Sequence, residues 1–300
     1  MFESFIRKLR NETYITLETT PSRSARFAPT VDKIESLGLQ HLVDGFSTTD
    51  NPLAKLKYNA LFAAQMLQNR FGLPVLATMS MRDRNRIALQ SDLLGANEAD
   101  VRAILALTGD SAHYSDQPHA KGVFEANSKL LLDIIATLNA GTDMAGQILL
   151  SPVQEIYPFA VTDAYAKSAA TLQKKMSKKV SHGAIGVISQ PVYDLENARK
   201  LLEMMENANA EHSAASVLVL GYFPITKLRT ARFLDENVPG IYVPQGWVEA
   251  LEAAAARSPE EEYRVGFDLS KNLFEELKAL HPKIHIMTAN QFELAKAILS

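Results

Sequence analysis

The chain has 300 residues, 47% hydrophobic and 22% charged, the balance of an ordinary globular protein with enough apolar side chains for a large core. Lysine and arginine number 31 against 34 aspartate and glutamate; a net charge of -3 gives no basic excess to hold a phosphate backbone, so nucleic acid is not an expected partner. With no cysteine, disulfides, thiolate nucleophiles, Fe–S clusters and Cys-ligated zinc are excluded together, and any redox chemistry falls to an organic cofactor.

At roughly 100 to 200 residues per domain, the length predicts two domains or, equally well, one α/β barrel of about 250 residues. The longest apolar runs, such as Leu130 to Leu138 with Asp133 inside it, fall short of the roughly 20 residues a membrane span needs. Met1 to Arg10 carries charge but no apolar stretch leading to a cleavage site, so a cytoplasmic protein is expected.

Short apolar runs alternate with longer segments of helical period, the pattern of βαβ units. A first strand is expected over residues 14–19 and a second over 41–46, followed by a helix over 52–70 entered through Asp50-Asn51-Pro52. The third strand (74–79) leads to a helix over 85–96, and the fourth (103–107) to one over 124–139. The fifth strand is placed at 147–151 with a helix over 164–181, the sixth at 184–189 with one over 195–208, and the seventh at 216–222 with one over 227–237. Residues 239–282 form an insertion containing Gly240, Pro244, Gly246 and a helix from about Pro259 to Leu280, before a last strand at 283–287 and a helix over 291–299.

Eight strands with intervening helices, and no Pro/Gly/Ser-rich linker, predict a single (β/α)8 TIM barrel spanning residues 1–300, with 239–282 as an elaboration within it. The competing open doubly wound sheet calls for a Gly-x-Gly-x-x-Gly turn after an early strand, and the chain has none.

Barrel active sites form at strand C-termini, which gives weight to polar residues immediately after a strand. Glu18 ends the first strand, where partial desolvation suits a general acid; it is equally a carboxylate paired with Arg23. Thr48-Thr49-Asp50 after the second strand suits a phosphate or ring edge, or is simply a helix cap. Ser80-Met81-Arg82-Asp83-Arg84 after the third holds two arginines able to fork an anion, or to pair with nearby aspartates. Asp110, after Thr108-Gly109, points a carboxylate across the mouth or satisfies its own turn. Gln190 ends the sixth strand with an amide that can read a heterocycle edge or brace a loop. Lys174, Lys175, Lys178 and Lys179 look like a solvated face, and His113, Tyr114 and His119 like part of a lid. His281 and His285 straddle Pro282, which spoils helical metal-site spacing; they are read as structural or surface residues, and no metal site is expected.

In this order, Glu18, Thr49-Asp50-Asn51, Arg82-Asp83-Arg84-Asn85 running into Leu93-Leu94-Gly95-Ala96, Leu107-Thr108-Gly109-Asp110, and Gly183-Ala184 leading to Gln190-Pro191-Val192-Tyr193-Asp194 resemble methylenetetrahydrofolate reductase. The match runs from about Thr13 to Thr288, and the Arg-Asp-Arg-Asn block with the Thr-Gly-Asp turn is its most specific part. The resemblance implies a barrel that holds FAD at its strand ends and reduces 5,10-methylenetetrahydrofolate to 5-methyltetrahydrofolate with NAD(P)H, a step toward methionine biosynthesis, the flavin being cradled by barrel loops rather than by a Rossmann turn.

By this resemblance Glu18 is the general acid that opens the bridging ring, Asp110 stabilises the resulting cation and contacts the substrate, and Gln190 contacts the folate. Thr49, Thr78, Ser80 and Thr108 fall at flavin-contacting positions, as do Gly109, Asp110, Phe124 and Lys179, the last on the pyrophosphate. The chain also departs from the family. Thr20-Pro21-Ser22 stands where Phe-Pro-Pro is common, Thr78 replaces a flavin-side histidine, and Leu172 and Lys175 stand where Asp and Asn can occur. Residues 151–158, read as the loop after the fifth strand, do not reproduce the usual flavin segment. These departures support an alternative, a folate-binding barrel that has lost tight flavin binding or needs a partner protein. Trp247 and Phe223 are candidates for a substrate wall or for the interface of a homo-oligomer.

Overall fold

The computed structural model describes residues 1–300. Eight parallel strands close into a barrel in sequence order: β1 (Tyr14–Thr19), β2 (Gly45–Thr48), β3 (Val75–Ser80), β4 (Ala103–Leu107), β5 (Tyr157–Thr162), β6 (Gly186–Pro191), β7 (Val217–Tyr222) and β8 (Lys283–Ile286). β8 returns to β1 in the register Tyr14↔Lys283 and Thr16↔His285, so no sheet edge is left unpaired. This is the (β/α)8 barrel expected from the alternation of apolar runs and helical segments.

The helices are α1 (Phe2–Asn11), α2 (Ala28–Leu37), α3 (Ala60–Phe71), α4 (Arg86–Glu98), α5 (Ser128–Asn139), α6 (Ala169–Ser181), α7 (Leu195–His212), α8 (Leu228–Asn237), α9 (Gln245–Ala255), α10 (Pro259–Leu280) and α11 (Phe292–Leu299). Three of them, α8 to α10, stand between β7 and β8, which nonetheless pair directly through Leu220↔Ile284.

The fifth strand is not at 147–151. That run forms one side of a small antiparallel turn bridged at Thr142↔Ile148, and Ile148 and Leu150 are 84% and 106% exposed. The strand is instead Tyr157–Thr162, whose Phe159 and Ala160 are fully buried. Residues 151–156 therefore lead into the strand from the far end of the barrel, Tyr157 and Pro158 already belong to it, and Thr162 and Asp163 occupy its site end. Smaller shifts move β2 to Gly45–Thr48, with Leu39–His41 in a 3₁₀ turn, and β6 to Gly186–Pro191. The third helix starts at Ala60 rather than Pro52 because Asn51, Leu53 and Ala54 take left-handed backbone angles that a helix cannot continue through. Asn59 then caps it, its side-chain oxygen accepting from the N–H groups of Leu61 and Phe62.

Three helices have no counterpart among the expected elements, and one of them, α9, lies within the insertion. α2 fills the β1–β2 crossover, and α1 closes the N-terminal end of the barrel. Its Phe2, Phe5, Ile6 and Leu9 are buried against Tyr14, Leu76, Leu105, Phe159 and Val219, with Phe5 5.0 Å from the Tyr14 ring and 6.3 Å from Phe159. Lys8 pairs with Asp44 at 2.5 Å, and the other oxygen of Asp44 accepts from the Ile15 N–H, which ties the plug to the rim.

Candidate functional site

At the opposite end, the strand C-termini surround a cavity of about 690 Å³, within the range of small-molecule sites. β1 contributes Glu18, the β2 end Thr49 and Asp50, β3 Thr78 and Ser80, and the β4 end Thr108, Gly109 and Asp110. β5 adds Thr162 and Asp163, β6 Gln190, β8 His285, and α5 and α6 supply Ser128, Lys129, Lys175, Lys178 and Lys179. All but one of the residues singled out for the site thus meet in one wall. Phe124 does not. It lies outside the cavity lining in a left-handed conformation, its ring against Gly122.

Glu18 faces this space with no charged or hydrogen-bonding neighbour acting on it. Burial alone pushes its carboxyl up to about 7, so near neutral pH a large fraction is protonated and able to donate. It does not pair with Arg23, which instead lies 3.6 Å from Asp116.

Asp110 sits exposed in the cavity lining, one carboxylate oxygen accepting from the Leu53 N–H at 2.6 Å and the other without a hydrogen-bond partner. Asp110 thus braces the β2 loop while also lining the cavity. Gln190 is presented by an irregularity in β6, where Ile188↔Val219 is followed by Pro191↔Gly221. Gly221 is required there: a Cβ on it would lie 2.1 Å from the Ser189 carbonyl oxygen. Ser189 Oγ accepts from the Gly221 N–H at 2.9 Å and holds the bulge.

The hydroxyls of Thr49 and Thr162 are buried without a hydrogen-bond partner, so the wall offers two polar groups that a ligand can satisfy. Thr108 Oγ1 instead accepts from the Ser128 N–H, and Ser80 Oγ from the Arg82 N–H. Lys179 donates to Ser128 Oγ at 2.5 Å; burial, then the neighbouring Lys129 and Lys175, push its ammonium below the usual range. These lysines line the cavity rather than forming only a solvated face, and they give this wall an excess of positive charge that Asp163 offsets in part. Lys175 is partly neutralised by Asp163 at 2.9 Å, and Leu172 is turned into the core.

The two arginines after β3 do not fork an anion. Arg82 binds both oxygens of Asp83 and the Asn51 carbonyl, and Arg84 bridges Asp50 and Asp92. His281 caps the Leu218 carbonyl at 2.8 Å, a structural role.

His285 is the residue that sequence reasoning missed. It is buried in the cavity floor, Nδ1 2.7 Å from Thr16 Oγ1 and Nε2 3.4 Å from Ser47 Oγ, and burial pushes it down to about 4, so it is neutral. The signal was the period-2 run Lys283-Ile284-His285-Ile286-Met287, which turns His285 to the opposite face from two buried isoleucines. No helix is long and apolar enough to cross a membrane.

No curated protein matches the chain. Among solved structures it resembles an uncharacterized protein from Clostridium thermocellum that binds two copies of 5-methyl-5,6,7,8-tetrahydrofolic acid, at TM-score 0.64 and 14% identity over 98% of this chain and 97% of that one. It also resembles an EDTA monooxygenase from Chelativorans sp. BNC1 (TM-score 0.57, 10% identity, 96% and 91% covered). A 2,3-dimethylmalate lyase of the PEP mutase/isocitrate lyase superfamily follows at TM-score 0.51 and 14% identity, with 98% and 83% covered. At these identities the likenesses carry the barrel architecture alone. The family assignment rests on a different comparison: the family model of methylenetetrahydrofolate reductase matches residues 3–300, and the chain belongs to that family.

Proposed function

We propose that the chain is a flavin-dependent oxidoreductase that converts 5,10-methylenetetrahydrofolate to 5-methyltetrahydrofolate, with NAD(P)H as electron donor. The observation that carries this reading is Glu18: a carboxyl with no partner, raised to about 7 by burial, facing a cavity large enough for a pterin. Family membership and the folate bound by the Clostridium thermocellum protein support the substrate class.

The wall fits the cofactor that this family implies. Thr49 and Thr162 have hydroxyls free to bond a ring edge, Gly109 brings backbone close to the cavity, and Lys179 with Lys129 and Lys178 suits a pyrophosphate. Bound FAD would supply the two-electron transfer between the nicotinamide and the folate.

The chain's own groups then have distinct tasks. Glu18 delivers a proton to the nitrogen that departs when the bridging ring opens, a transfer matched to its raised affinity for protons. The cation left on the carbon bridge is stabilised by the free oxygen of Asp110, whose second oxygen is fixed by Leu53. Gln190, held by the β6 bulge, donates to and accepts from the pterin edge. His285, neutral and bonded to Thr16, keeps positive charge off the cavity floor, so no cation there pulls the Glu18 proton away.

The test is the absorbance spectrum of the purified protein supplied with FAD: a flavin band that bleaches under NADH or NADPH and recovers on addition of methylenetetrahydrofolate. A colourless protein that neither takes up FAD nor turns over overturns the reading. A second reading, a folate-binding barrel without tight flavin binding or dependent on a partner protein, is favoured by the commitment of Lys175 to Asp163 and of Leu172 to the core. Calorimetry separates the two, since folate binding without FAD binding supports only the second.

A further inference from the structure

Asp50, which lines the cavity, and Arg84 form an ion pair at 2.5 Å, with side chains 2% and 10% exposed. An ion pair this deep gives no more stability than well-packed apolar side chains of the same volume, because desolvation offsets the attraction. What it provides is fixed geometry. The Asp50 oxygen that meets Arg84 also accepts from the Ser80 N–H at 2.9 Å, and Arg84 reaches on to Asp92 of α4 at 2.8 Å. The ends of β2 and β3 are thereby fastened to each other and to a helix.

The fastening extends to β4. Ser80 lies so close to Gly109 that a Cβ there would come 2.2 Å from Ser80 Oγ, so the position of Ser80 sets that of the Gly109-Asp110 turn. On the other side, Asp50 is flanked by Thr49, with its unpartnered hydroxyl, and by Asn51, Leu53 and Ala54, all left-handed and none glycine. Such backbone persists only where its surroundings over-determine it. Here Arg82 holds the Asn51 carbonyl at 3.0 Å and Asp110 the Leu53 N–H at 2.6 Å.

We propose that Asp50 and Arg84 are positioning residues, a buried charge pair that sets Thr49 and Asp110 against the ligand without itself reacting. The inference goes beyond the folate reductase reading, and rests on it only for the choice of ligand probe.

The experiment compares whole wild-type protein with Arg84→Lys, which keeps the charge but cannot bridge two carboxylates, and with the double variant Asp50→Asn/Arg84→Met, which leaves no unpaired buried charge. Amide hydrogen exchange at residues 49–54 and 108–110 is expected to quicken about tenfold in both while the melting temperature moves by only a few degrees. The Kd for 5-methyltetrahydrofolate is expected to rise about tenfold in both. In turnover with methylenetetrahydrofolate, KM is expected to rise and kcat to fall together, because the pair sets Asp110 as well as Thr49, while the pH profile governed by Glu18, on β1 outside the fastened strand ends, is expected to keep its shape.

Unchanged exchange in these segments, or wild-type behaviour of Arg84→Lys, overturns the proposal. So does a uniform rise in exchange across the barrel with a large fall in melting temperature, the mark of a merely structural pair. If the wild type binds no folate, the functional reading fails, while the exchange result by itself still decides whether the pair positions the wall.

Discussion

His285 and Thr16 are 269 positions apart in the chain, yet Nδ1 of one lies 2.7 Å from Oγ1 of the other, where β8 closes on β1. One residue further along the β1 face stands Glu18. The two titrating groups at this seam are perturbed by the same cause, burial, in opposite directions: His285 from 6.5 down to about 4, Glu18 from 4.5 up to about 7.

Their linkage to folding is accordingly opposed. His285 binds its proton more readily unfolded, so its contribution is intact above pH 6.5 and is lost as pH falls toward 4. Glu18 binds its proton more readily folded, so its contribution is intact below pH 4.5 and is lost as pH rises toward 7. Between pH 5 and 7.5 each changes stability by about 2 kcal/mol, and the two nearly cancel. Glu18→Gln is therefore expected to be about 2 kcal/mol less stable at pH 5 than at pH 7.5, and His285→Gln to show the reverse slope. Urea unfolding of both variants at the two pH values checks this; parallel profiles for the two would show that neither group carries the assigned shift.

Glu18→Gln also divides the proposed reaction. Reduction of bound flavin by the nicotinamide needs no proton from this carboxyl and should remain within a few-fold of wild type. Reduction of methylenetetrahydrofolate should slow by about 10² to 10⁴. Stopped-flow absorbance measures the two half-reactions separately, and equal losses in both would remove Glu18 from the role of acid.

Gly221→Ala is expected to act on Gln190 from behind. The added methyl meets the Ser189 carbonyl oxygen at 2.1 Å, and because that atom is backbone the strand itself has to move. A destabilisation of about 1 to 3 kcal/mol should accompany a raised KM for folate. Thermal melting and steady-state kinetics read the two effects, and a KM left unchanged would mean that the bulge does not orient the amide.

Phe5→Ala tests the plug. The ring is 2% exposed and packs on Tyr14 and Phe159, so its loss should cost about 3 to 5 kcal/mol. Denaturant unfolding measures the cost; a loss below about 1 kcal/mol would show that α1 is not part of the cooperative core.

What was legible in the sequence is what depends on near neighbours. β1 and β4 fall at the expected residues because their apolar runs are bounded by polar turns, and Glu18, Asp110 and Gln190 could be placed at strand ends from those runs alone. The fifth strand could not. Gln147–Ser151 and Tyr157–Thr162 are both short apolar stretches, and only pairing with β4 and β6 distinguishes them. The same holds for Arg84, whose acidic partners Asp50 and Asp92 lie 34 residues before and 8 residues after it. His285 was passed over because its meaning comes from Thr16 and Ser47, at the other end of the chain.

The α1 plug has a consequence for traffic. With Phe2, Phe5 and Leu9 packed across the far end of the barrel, that end is closed, and the cavity opens at the loop-lined mouth beside Asp110. On the proposed reading, a nicotinamide and a folate would have to share that mouth, so the first would back out before the second came in. The barrel's closed base would then impose a queue, with the reductant's electrons held inside the protein between one visitor and the next.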